Sequence, residues 1–256
     1  GDIYVNDAFS CSHRAHSSIA GVPKYLPSYC GLQFIEEINA LRKITSEITK
    51  PITCIIGGSK ISTKIKIISN LIKIFNNIII VGGMGNAMLK NTGMNIGKSI
   101  CDDGYKDMVK EILEKSKTYN CQIHGPLDVV VSQNLNGSGK IKENNEVNND
   151  EMILDIGPKT IESIKNIVNK SNTVLWNGPA GYFENPNFAN GTEEILKIIA
   201  NKKHKDKIYS VAGGGETVAV INKFNKFETF NFVSTAGGAF LEYLEGKELP
   251  GIKALN

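Results

Sequence analysis

The stretch Ile52-Thr53-Cys54-Ile55-Ile56-Gly57-Gly58-Ser59-Lys60-Ile61-Ser62-Thr63-Lys64 decides how this chain is read. Its first five residues are apolar or β-branched on both faces, as in a parallel strand covered from both sides. Two glycines stop the strand. The apolar positions then move to Ile61, Ile65, Ile68, Ile72 and Phe75, which is a helical period. Strand, glycine turn and helix make one βα unit, and the unit recurs. Further strands are expected at residues 3–5, 78–81, 128–131, 173–176, 208–212 and 232–234. Amphipathic helices are expected at 32–45, 102–119, 158–170 and 187–200. The alternation predicts an α/β fold with a doubly wound, Rossmann-like parallel sheet. Residues 132–150 are polar and rich in Asn, Gly and Lys, so they read as a surface loop or a pair of short irregular strands.

Four of these strands end in glycine, at Gly57-Gly58, Gly82-Gly83, Gly178 and Gly213-Gly214-Gly215, and a fifth ends in Gly237-Gly238. Ligands of open parallel sheets sit at the carboxyl ends of the strands. Glycine there lets the backbone turn sharply and approach a ligand closely. Neither the dinucleotide fingerprint nor the Walker loop is present, which weakens a Rossmann-type oxidoreductase. Lys60 and Lys64 are expected in the first turns of the helix after Gly57-Gly58, one turn apart on one face. Like charges at that spacing repel, and cations there oppose the helix dipole. A bound anion would remove both penalties; two solvated lysines in a lysine-rich chain are the plainer reading. The run Gly213–Thr217 offers a second anion site, with Glu216 either a helix-capping acid or a metal ligand. Arg14, between His13 and His16, is either part of a polar surface loop or a cationic rim. Trp176 reads as core, and His124 and His204 have no partner in the sequence.

Composition narrows the class. The 256 residues are 41% hydrophobic and 21% charged, with a net charge of +3. That is ordinary globular composition, too weakly basic to suggest nucleic acid or an anionic membrane as partner. Five cysteines, Cys11, Cys30, Cys54, Cys101 and Cys121, are odd in number and lack metal-ligand spacing. Free thiols in a reducing cytoplasm follow. No run of roughly 18 apolar residues predicts a membrane span, and no signal peptide opens the chain. The first residue is Gly1, and the strand after it has nothing before it to pair with. A piece of a longer gene product is expected.

Several motifs together resemble the phosphoglycerate kinase family. Near the start stands Gly1-Asp2-Ile3-Tyr4-Val5-Asn6-Asp7-Ala8-Phe9, followed by His13-Arg14-Ala15-His16. Gly57-Gly58-Ser59-Lys60 with Lys64, Leu154-Asp155-Ile156-Gly157-Pro158 and Trp176-Asn177-Gly178-Pro179 continue the series in family order. Gly213–Thr217, Ser234-Thr235 and Glu245-Gly246-Lys247-Glu248-Leu249-Pro250-Gly251 complete it. The family has two Rossmann-like domains, one for 3-phosphoglycerate or 1,3-bisphosphoglycerate and one for Mg2+-bound ADP or ATP. The resemblance implies that residues 1–31 are the tail of the acceptor domain and 32–46 the connecting helix. It makes 47–245 the nucleotide domain and 246–256 a returning tail.

The resemblance also implies roles. Lys60 would stabilise the transferring phosphoryl group, with Gly214 and Gly215 presenting N–H groups to it. Lys64 would hold nucleotide phosphates. Gly58, Ser59, Gly82, Gly83, Ile153, Leu154, Pro179, Gly181 and Gly213 would line the nucleotide path. Asn177 would sit by the phosphates and Glu184 would bond the ribose. Glu216 falls at the family's magnesium-binding Asp, with Thr217 beside it, and Arg14 would be the remaining acceptor-side arginine. This chain departs from the family in Glu216 for Asp, Ile153, Val81 and Ala236 for Gly, and Ser59 for Ala. The expected activity is reversible phosphoryl transfer by a glycolytic monomer, most of whose acceptor domain lies outside this chain. The alternative is a non-catalytic nucleotide-binding module.

Overall fold

The structure is a computed structural model that describes residues 1–206 and 208–255, the side chains of 204–206 excepted; His204 therefore lies outside the described side chains. The chain opens with β1 (Tyr4–Asn6) and β2 (Ser28–Cys30), paired in parallel. β1 thus finds its partner downstream, in a strand the sequence reading missed. Helix α1 (Leu32–Thr45) follows, its first turn fixed where Asp7 Oδ1 accepts from Phe34 N at 3.0 Å. Midway along it Glu37 is buried and accepts from Ser234 Oγ at 2.8 Å; burial raises its pKa to about 7.

Next come β3 (Ile52–Ile56), α2 (Ile65–Leu71), β4 (Asn77–Ile80), α3 (Gly82–Asn91), α4 (Tyr105–Thr118) and β5 (Gln122–His124). Three strands then form an annex: β6 (Asp128–Ser132), β7 (Lys140–Glu143) and β8 (Met152–Ile156). Helix α5 (Pro158–Asn169), β9 (Thr173–Asn177), α6 (Asn190–Asp206), β10 (Tyr209–Gly213) and α7 (Gly215–Lys223) return to the main sheet. The chain closes with β11 (Phe232–Ser234), α8 (Gly238–Leu244) and α9 (Pro250–Lys253). α9 docks on the opening segment, Gly251 N donating to Ser12 O at 2.9 Å.

Six strands make one parallel sheet in the order β11-β10-β9-β3-β4-β5. From β3 the chain steps outward to β4 and β5, then returns to β9 on the other side of β3. The strand order therefore reverses between β3 and β9. Both strands are buried at every position, which explains their largely apolar and β-branched spelling. One core packs Phe34, Leu41, Ile68 and Phe240 against one sheet face; another packs Ile164, Ile195, Val220 and Trp176 against the other. Trp176 is fully buried and stacks on Phe230 with centroids 5.8 Å apart, so it is core as expected.

Two expectations are corrected. The strand at 128–131 belongs to the antiparallel annex, order β7-β6-β8, and not to the parallel sheet. Val129 and Val131 are buried beside Leu89 and Ile96 while Val130 is half-buried, and a short apolar run does not distinguish the two kinds of sheet. The main sheet's edge strand is Gln122-Ile123-His124 instead, too polar to be read. The helix expected from Lys60 begins only at Ile65, after a 3-10 turn at Ile61–Thr63. Local side-chain bonds divert the backbone: Thr63 Oγ1 donates to Lys60 O at 2.8 Å, and Ser62 donates from N and Oγ to Asp102. The 132–150 segment is loop with a single strand, β7, and not a pair of strands. All five cysteines are free. Among the described residues no helix is long and apolar enough to cross a membrane.

Candidate active site

The five glycine-ended strands are neighbours, so their turns converge on one rim. The rim is backbone packed on backbone. A Cβ on Gly57 would stand 2.1 Å from Pro179 O, and one on Gly83 would stand 2.4 Å from Ser59 O. Gly214 has φ +95, a region that favours glycine. The rim lies where strand order reverses, the place where open α/β sheets bind ligands.

The two lysines differ. Lys60 is solvent-exposed on extended backbone, with φ −135° and ψ 131°. Lys64 is folded into the reversal point. Its Nζ donates to Gly57 O at 2.6 Å and Asn177 O at 3.2 Å. Burial lowers its pKa to about 8, against the opposing pull of Glu216. A Cβ on Gly58 would lie 3.4 Å from Lys64 Nζ and 3.6 Å from Glu216 Oε2. The ammonium and the carboxylate thus both border the space a Gly58 side chain would fill. Asn177 Nδ2 donates to Gly213 O at 2.6 Å, while its buried Oδ1 has no partner. Thr217 is buried and its Oγ1 accepts from Gly178 N at 2.7 Å, so it braces the rim from below.

Beside the rim opens a cleft of about 270 Å³. Ten residues singled out in the sequence line it: Gly58, Ser59, Gly82, Gly83, Ile153, Leu154, Pro179, Gly181, Glu184 and Glu216. The wall opposite the rim comes from the annex and from the loop after β9. Its apolar members, among them Leu135, Met152 and Phe183, were missed, as was Ile100 from the segment between α3 and α4. Their only sequence signal was the motif at Leu154, which marked the end of β8 but not the neighbours that β8 gathers. Lys60, Gly215 and Arg14 are not in this lining. Gly215 opens onto empty space, where a Cβ would meet nothing within 4 Å. Arg14 is exposed, with its Nε 3.3 Å from His13 Nε2. His13 in turn lies beside Gly238, at the start of α8.

Among the described residues no group of three or more His, Cys, Asp and Glu could hold a metal. A lone exposed carboxylate at Glu216 still suits magnesium, which takes one or two carboxylates together with substrate phosphates. The arrangement combines a cationic, glycine-lined rim with an apolar slot. It can therefore grip an anion at one end and a flat apolar group at the other.

The family model for phosphoglycerate kinase matches residues 1–247. A phosphoglycerate kinase of Xanthobacter flavus is 43% identical over 257 residues, covering 100% of this chain and 65% of that protein. That of Wolbachia pipientis wMel is 45% identical over 99% of this chain and 64% of the relative. The structure of phosphoglycerate kinase from Coxiella burnetii superposes with a TM-score of 0.94 at 40% identity, over 99% of this chain and 65% of that one. The enzyme from Pyrococcus horikoshii OT3 gives 0.81 at 28% identity. The chain thus spans about two thirds of its relatives' length, and with that match along residues 1–247 it belongs to the phosphoglycerate kinase family.

Proposed function

We propose that this chain is the nucleotide-binding part of a phosphoglycerate kinase and holds Mg2+-bound ADP or ATP at the β3–β9 rim. In the whole enzyme it would serve reversible transfer of a phosphoryl group from 1,3-bisphosphoglycerate to ADP, giving 3-phosphoglycerate and ATP. The observation that carries the reading is Lys64, a half-buried lysine whose ammonium has, among the described residues, two carbonyls and one carboxylate to oppose its charge. A cation held there without a full counter-charge is costly, and nucleotide phosphates would supply one.

The apolar slot would take the base, with Glu184 at its mouth for the ribose. Gly58, Gly82 and Gly83 let the phosphates approach the backbone. Lys64 holds their charge. Lys60, exposed on the same turn, is free to reach the group in transit, and the N–H groups of Gly214 and Gly215 would present donors to it. Glu216 would hold magnesium together with phosphate oxygens; the ion neutralises charge that develops during transfer. Phosphoryl transfer has a loose transition state, so positioning and charge do most of the work. Arg14, exposed beside His13, would serve the acceptor side. Alone, the chain would bind nucleotide without turnover, because orientation from a facing domain can be worth ~7–11 kcal/mol.

Calorimetry with Mg-ADP and a coupled assay with 1,3-bisphosphoglycerate test both halves. Saturable Mg-ADP binding without turnover is expected. Absence of binding would overturn the nucleotide reading. Turnover near the rate of full-length relatives would overturn the need for a facing domain.

A further inference from the structure

One buried acid has no part in the chemistry above. Asp155 ends the annex strand β8 and is 2% exposed. Among the described residues no cation pairs with it. Its Oδ1 accepts from Ile156 N at 2.9 Å and its Oδ2 from Gly191 N at 2.7 Å. Gly191 lies in the first turn of α6, where the helix dipole favours an anion. A buried carboxylate held only by backbone N–H groups is expensive to keep. An apolar residue of similar size would fill the space at less cost, so the carboxylate has a use other than filling space.

That use is visible in what touches it. A Cβ on Gly181 would stand 2.4 Å from Asp155 Oδ1, and a Cβ on Gly191 would also stand 2.4 Å from it. The two glycines bracket residues 181–191, which connect the cleft to α6. Tyr182 N donates to Leu154 O at 2.7 Å, and Ala180 N donates to Thr192 Oγ1 at 3.0 Å. The loop bearing Pro179, Gly181, Phe183 and Glu184 is thus seated on β8 and the start of α6. The carboxylate is the joint between those two elements.

We infer that Asp155 is a positioning residue for the nucleoside end of the bound nucleotide: it locks β8 to α6 and thereby sets the height of the 179–184 loop over the cleft. The inference rests on the nucleotide reading above. It divides the site, because the phosphate rim at Gly57, Lys64 and Asn177 hangs on β3 and β9 and touches this loop at its first residue, Pro179, ahead of the Gly181 contact with Asp155.

The test compares two probes, Mg-ADP and inorganic pyrophosphate with magnesium, against the 256-residue chain by calorimetry. Asp155→Asn keeps the shape but turns an N–H toward an N–H. Losing a charge-assisted hydrogen bond predicts about tenfold or more weaker ADP binding, with pyrophosphate affinity within about twofold of wild type. Gly191→Ala, whose Cβ would meet Asp155 Oδ1 at 2.4 Å from the α6 side, attacks the same joint at a residue outside the cleft lining and should show the same selectivity; it decides the matter if Asp155→Asn does not fold. Equal losses for both probes, or no loss for ADP, would overturn the inference. Failure of wild type to bind ADP at all would instead overturn the nucleotide reading.

Discussion

The rim between β3 and β9 and the annex wall facing it bound the same cleft, yet they are built differently. At the rim, backbone touches backbone, and the spacing leaves no room for side chains at Gly57 or Gly83. In the annex, side chains from three short antiparallel strands meet neighbours far away in sequence, as Val129 meets Leu89 and Ile96. The rim therefore constrains residue identity, whereas the annex, Asp155 apart, constrains chiefly apolarity. A ligand site made of both has one half that any reader can find and another that appears only on folding.

Glycine substitutions would expose this difference most strongly. In Gly57→Ala the new methyl would meet Pro179 O, a backbone atom unable to move without shifting the rim. The expected loss is about 3 kcal/mol of stability, from overpacking. Gly137→Ala, in the annex hairpin, would meet chiefly Ser132 Oγ at 2.3 Å, which a rotamer change relieves. Its expected cost is below about 1 kcal/mol. Urea unfolding of both variants checks the pair; equal losses would erase the distinction.

The lysines sharpen the comparison within the rim itself. Lys64→Ala should weaken nucleotide binding by about 100-fold, the scale for truncating a buried charge partner. Lys60→Ala, on an exposed side chain, should leave affinity within about threefold and, in an enzyme completed with its acceptor domain, lower kcat instead. Matching profiles for the two variants would mean that the buried and exposed positions do not divide the work.

A smaller effect is expected at Glu216. Its carboxylate reaches one methylene further than the family's Asp, and magnesium tolerates displaced ligands poorly. Glu216→Asp should tighten Mg-ADP by about threefold and narrow the gap between magnesium and manganese, while Glu216→Gln loosens both. Equal metal dependence in wild type and both variants would leave Glu216 a helix-capping acid.

The sheet and its glycine turns were legible because buried parallel strands and tight turns restrict the alphabet, whereas Ser59, Ile153, Leu154, Pro179, Gly181 and Glu184 came only from the family resemblance. β5 was not, since an edge strand can be spelled Gln-Ile-His. β6 was found but placed in the wrong sheet, because an apolar run carries no record of its partners' direction. The two lysines looked alike at helical spacing. They were separated by Ser62 and its bonds to Asp102, a contact across 40 residues, and no local pattern reports that.

The central claim is that Lys64 meets the phosphates at the reversal point. Burial lowers its pKa to about 8. A lysine depressed in this way binds fewer protons folded than unfolded between about pH 8 and 10.5, so its destabilising effect is full below pH 8 and fades as pH rises through that window. Phosphate beside it restores the charged form, so Mg-ADP binding above pH 8 must take up protons. Calorimetric titration at pH 8.5, in buffers of differing ionisation enthalpy, measures that uptake. Fractional proton uptake in wild type that vanishes in Lys64→Ala is the predicted result. Binding without uptake, or uptake that survives in Lys64→Ala, would contradict the account.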